Sequence, residues 1–182
     1  MIRHHKSIFL AVAALCTPAA AQVPPSDAMA MHHTEVCAAP APLPAPLAGW
    51  AAPHLTMNAA RKAGQLAHAT LTLGQAADAT LPHTPEVAYV VQPLKPGGTV
   101  SYGGIFAFEV PAAGTYRVAL DSHSWTDVIE DGASLASIAH GHGPACTGVA
   151  KMVDYTLKPG RHLLQISAQG EPKLTLMVTR LP

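Results

Sequence analysis

Residues 106–120, FAFEVPAAGTYRVAL, read as a strand, a turn and a second strand. Phe106, Phe108 and Val110 alternate with other residues before Pro111-Ala112-Ala113-Gly114, and Tyr116, Val118 and Leu120 alternate after it. A period of two puts one side of each segment into a core and the other toward solvent, which is strand geometry and not helix geometry. Pro111 lacks an amide donor and Gly114 accepts turn conformations, so the chain reverses between the two runs.

The same grammar extends in both directions. Strand-like runs are predicted at 67–73, 86–92, 102–110, 115–121, 125–130, 134–139, 152–157, 162–167 and 173–179, with Asp131-Gly132 and Pro159-Gly160 as further turn signals. Short strands at this spacing predict an all-β, antiparallel β-sandwich. Only 58–67 reads as helical, through Ala59, Ala60, Lys62 and Leu66, with Gly64 weakening it from within. Gly103-Gly104 and Gly97-Gly98 read as a turn and a kink, because no helix follows them to make a phosphate-binding N-terminus. Serine nucleophiles have no support, since no Gly-x-Ser-x-Gly elbow is present.

Upstream, Arg3 and Lys6 precede an apolar run at 8–15 and the small-residue track Ala19-Ala20-Ala21. This is the pattern of a secretory signal peptide over residues 1–21, cleaved after Ala21. The run is shorter than the roughly 20 residues a membrane helix needs, so membrane insertion is not expected. Cys16 admits a lipoprotein reading, but bulky Leu15 stands where a small residue is wanted. The expected location is periplasmic or secreted. Residues 22–52 are rich in Ala and Pro, with Pro40, Pro42, Pro44 and Pro46 spaced by two, and predict an extended N-terminal arm of polyproline type. Residues 53–182 are left for one sandwich domain. Charged residues make up only 12% of the chain, with 11 basic against 11 acidic before Arg3 and Lys6 are removed. That balance does not favour nucleic acid or an anionic membrane as a partner.

Residues 106–120, 127–136 (DVIEDGASLA) and 155–166 (YTLKPGRHLLQI) resemble bacterial pre-peptidase C-terminal domains. That resemblance implies a jelly-roll-like sandwich of the kind attached to secreted enzymes, with no catalytic domain beside it here. The whole chain, including Ala48-Gly49-Trp50 and residues 140–146 (HGHGPAC), also resembles short secreted bacterial proteins labelled homogentisate 1,2-dioxygenase. The label implies iron held by two histidines and a carboxylate, for which His140, His142 and Glu130 are the catalytic candidates. Cys146 stands where a cupin-type motif would place its carboxylate.

Once a signal peptide is removed, Cys37 and Cys146 are the remaining cysteines, and an oxidising compartment favours a disulfide between them. The competing reading is a pair of thiolates serving as metal ligands. A disulfide would bring His32 and His33 toward His140 and His142, with Met29 and Met31 adding thioethers, in a set suited to copper or zinc. His123, Trp125 and Asp127 fall on one face by alternation. They are either a histidine–carboxylate pair or a core tryptophan beside a polar hairpin. The function expected from these features is a binding or accessory module for an envelope protein, a carbohydrate or a metal. The alternative is a non-haem dioxygenase.

Overall fold

The computed structural model describes Cys37 and residues 39–182. The expected signal segment, His32 and His33 lie outside the described residues, as do Met29 and Met31. Among the described residues eleven strands form two sheets. They are β1 Leu55–Asn58, β2 Thr70–Leu71, β3 Ala77–Thr80, β4 Tyr102–Val110, β5 Gly114–Leu120, β6 Trp125–Glu130, β7 Ala133–Ser134, β8 Ala139–Gly141, β9 Lys151–Leu157, β10 Gly160–Gln169 and β11 Lys173–Arg180. One sheet runs β1-β3-β11-β5-β9-β8 and the other β2-β4-β10-β6-β7. The expected all-β sandwich is what the chain forms.

The two alternating runs of residues 106–120 lie on opposite sheets. The Pro111–Gly114 turn carries the chain across from β4 to β5, so Phe106 and Phe108 face Tyr116, Val118 and Leu120 through one core, all nearly inaccessible to solvent. Leu164 and Ile166 of β10 and Leu174, Leu176 and Val178 of β11 fill the same layer. Side chains of this size each contribute about 1.5–3 kcal/mol when fully buried. Most pairings are antiparallel, but β1 with β3 and β2 with β4 are parallel, because a strand of the opposite sheet intervenes in each connection.

Several segments depart from expectation. Residues 86–92 form no strand; a 3₁₀ turn occupies Thr84–Glu86, and the amides of Val90 and Val91 donate to the Gln165 side chain instead of to a strand. Residues 134–139 divide between β7 and β8 as the chain passes from one sheet to the other. The predicted helix at 58–67 is replaced by a 3₁₀ helix at Ala63–His68, because Ala60 exchanges backbone hydrogen bonds with Ile105 and so leaves helical geometry. Gly103 and Gly104 lie inside β4, where a Cβ at Gly103 would collide with the Tyr89 hydroxyl and one at Gly104 with the Ala59 side chain.

The described part of the proline-rich stretch ends in a 3₁₀ helix, Ala45–Trp50, that starts behind Pro44 and has Pro46 in its first turn. Leu47 and Trp50 are buried there with Ala76, Ala119, Val149 and Met177 in a second core. Ala119 and Met177 face each other across β5 and β11, so this segment covers the outer face of the six-stranded sheet. His54 holds the turn in place, with Nε2 at 2.9 Å from the Trp50 carbonyl and Nδ1 at 2.9 Å from Asp78. Cys37 and Cys146 are joined as a disulfide with Cα atoms 5.4 Å apart, and the Ala41 amide donates to the Cys146 carbonyl nearby. No helix among the described residues is long and apolar enough to cross a membrane.

Candidate binding groove

Where β6 and β7 of one sheet approach β8 and β9 of the other, a groove of about 590 Å³ opens. Alternation along β6 buries Thr126 and Val128 and leaves Trp125 and Asp127 half-exposed on the opposite side. Trp125 donates its indole N–H to Asp127 Oδ2 at 2.9 Å, and Ser134 donates to Asp127 Oδ1 at 3.1 Å. The carboxylate thus locks the orientation of the ring. From β9, Lys151, Val153 and Tyr155 line the groove on a shared face, and Leu94, 79% exposed, stands at its margin.

Two ammonium groups crowd the indole. Lys95 Nζ lies 5.3 Å and Lys151 Nζ 5.8 Å from the centre of the ring system, within cation–π range. Lys151 also donates to the Ser124 carbonyl at 2.6 Å. Its pKa is held below the usual lysine value, first by burial and then by the charge of Lys95, while Asp127 opposes the shift. Lys95 is placed by its own backbone, whose carbonyl accepts a hydrogen bond from buried Ser167. The groove therefore combines an oriented aromatic surface, apolar walls and the Lys151 cation against one anion, with Lys95 held against the same indole. Concave sites with apolar lining and a few fixed polar groups are where small ligands bind.

Other expected site residues separate. His140 is exposed on edge strand β8 and lines this groove, whereas His142 lies beyond the strand with its ring centre 5.4 Å from that of His123. Glu130 belongs to the opposite sheet and is committed elsewhere, with Oε2 2.9 Å from His162 Nε2 and Oε1 accepting from Lys158 at 3.0 Å. Buried His162 stacks on Phe108 and has its other nitrogen 3.1 Å from the Gly160 carbonyl. Among the described residues no three of His, Cys, Asp and Glu are arranged to hold a metal ion. His140, His142 and Glu130 accordingly do not fit the two-histidine, one-carboxylate requirement of a ring-cleaving iron site. In the disulfide, Cys37 and Cys146 are not thiolate ligands.

The Trp125–Asp127 pair follows from alternation, but Trp125 lines an open groove and the buried tryptophan is Trp50. Lys95, Lys151 and Tyr155 escape sequence reasoning as site residues. Spacing by two predicts that Lys151, Val153 and Tyr155 share a face, yet nothing local says that this face meets β6.

No family model matches the chain, and no curated protein matches it. Among solved structures, the pre-peptidase C-terminal domain of collagenase from Bacillus anthracis is similar over 69% of this chain and 96% of that one, at 12% identity and a TM-score of 0.37. At that score the fold assignment rests on the strand pairing itself.

Proposed function

We propose that the protein is an extracytoplasmic accessory module that binds an acidic saccharide in the Trp125 groove. The observation that carries this reading is the pair of ammonium groups, Lys95 and Lys151, held within 6 Å of one oriented indole. A sugar ring presents an apolar face that covers indole surface, and its carboxylate would meet both cations in charge-assisted contacts. An anion there offsets the lysine–lysine repulsion that adds to burial in lowering the Lys151 pKa. Location outside the cytoplasm is supported by the signal-like N-terminus and by the disulfide.

The test is calorimetric titration with uronic-acid oligomers and with uncharged glucan oligomers of equal length, read in parallel by tryptophan fluorescence. Uronic-acid oligomers are expected to bind and to perturb the emission of Trp125; Trp125→Ala and Lys151→Met should each weaken binding by about ten-fold or more, or ~1.4 kcal/mol. Equal affinity for charged and uncharged oligomers would remove the acidic specificity. Affinity unchanged in Trp125→Ala would remove the groove.

A further inference from the structure

His123 and His142 come from separate connections, the first between β5 and β6 and the second between β8 and β9. Their ring centres are 5.4 Å apart, with planes at 83°. Both side chains are exposed. Among the described residues no hydrogen bond engages a nitrogen of either ring, in contrast to His54 and His162, whose nitrogens all meet protein oxygens. We infer that His123 and His142 form a two-imidazole site for a borderline divalent transition metal, Zn(II) or Cu(II).

The geometry suits the metal. Two imidazoles on one tetrahedral ion, with N–metal bonds of ~2.0–2.1 Å, place their ring centres roughly 5 Å apart. The observed centre-to-centre spacing of 5.4 Å is close to that value. Both loops are braced, which limits the ordering cost of binding. On the His123 side, Asp121 N donates to the Thr175 carbonyl, the Ser122 and Ser124 hydroxyls meet at 2.6 Å, and Ser124 donates to buried Gln169. On the His142 side, a Cβ at Gly143 would collide with the Val149 carbonyl, Thr147 donates to the Pro144 carbonyl, and the disulfide fixes Cys146. Two protein ligands leave positions for water or for a donor from elsewhere, so the site captures an ion on the surface and does not build the fold.

Edge-on packing of two rings is also what their quadrupoles favour without any ion, and titration separates the explanations. Zn(II) is titrated by calorimetry into the protein with its disulfide closed, and into His123→Ala, His142→Ala, His68→Ala and His32→Ala/His33→Ala variants. The expected result is binding that weakens by about ten-fold or more in each of the first two variants. It should stay within two-fold in the last two. In parallel, Zn(II) should shift the imidazole nitrogen resonances of His123 and His142 together. Affinity that survives His123→Ala overturns the site, as does a loss confined to the His32→Ala/His33→Ala variant. Both loop histidines are exposed, and unchanged thermal unfolding of their variants verifies that folding is intact.

Discussion

Glu130 shows how one side chain can take a role that its position in the chain does not reveal. His162 across the sheet and Lys158 beyond it hold its carboxyl at about 2, well below the usual 4.5, with the His162 hydrogen bond the larger cause. Its folded pKa is depressed, so the stability it contributes is fully present above the unfolded value near ~4.3 and is lost as pH falls toward about 2. Urea unfolding midpoints of the native protein should therefore fall between about pH 4.5 and pH 2 by more than those of Glu130→Gln. Lys158 is 77% exposed, and an exposed partner of this kind contributes little, so Lys158→Met should keep most of the native pH dependence. Parallel midpoint curves for the native protein and Glu130→Gln would refute the assignment. Period-two alternation places Glu130 at the end of a strand, but its partners lie 28 and 32 residues away and only the pairing of β6 with β10 brings them close. In the same way, His140 and His142 are neighbours in sequence whose side chains serve different surroundings.

Strands were legible where large apolar residues alternate, as in β4 and β6, whose observed limits coincide with the predicted runs. They were illegible where alanine does the packing: Ala77 and Ala79 of β3 are buried, yet ADAT carries no large side chain to mark it. β1, LTMN, is recognisable only through its parallel pairing with β3. Residues 86–92 misled in the opposite direction: Val87, Tyr89, Val90 and Val91 look like a strand, but Val87 N turns back to the Thr84 carbonyl, Ala88 N meets the Arg61 carbonyl, and the backbone of Val90 and Val91 is held by one side chain. Buried Gln165 accepts from Val90 N at 2.7 Å and Val91 N at 3.2 Å and donates to the Val91 carbonyl at 2.8 Å. Gln165→Leu removes all three hydrogen bonds and strands two amides and a carbonyl, at ~1–3 kcal/mol for each group that water cannot reach. A net loss of about 2–4 kcal/mol in urea unfolding is expected, with the amides of Val90 and Val91 exchanging hydrogen much faster. Slow exchange at both positions in the variant would mean that the segment is held by its apolar packing alone. Because Ser167 fixes Lys95 from the same strand, loosening 90–95 should also weaken ligand binding in the groove.

Across the whole molecule, the disulfide joins residues separated by 109 positions, and the loop it closes contains β1 through β8. A cross-link of that span removes denatured-state freedom worth about 4–5 kcal/mol in the loop-entropy account. In the native state the bond is not the sole attachment of the N-terminal stretch, since Leu47 and Trp50 are buried in the second core and His54 bridges Trp50 to Asp78. The fold should therefore survive reduction while its margin shrinks. For Cys37→Ser/Cys146→Ser the far-UV spectrum and the buried environment of Trp50 should be retained, and the unfolding free energy should drop by up to ~4–5 kcal/mol. The urea m-value should rise as well, because an uncrosslinked denatured chain exposes more surface. These two changes test the mechanism together. A lower midpoint with an unchanged m-value would place the loss in the native state, in the contacts around Cys146 and Ala41, instead of in the freedom regained by the unfolded chain.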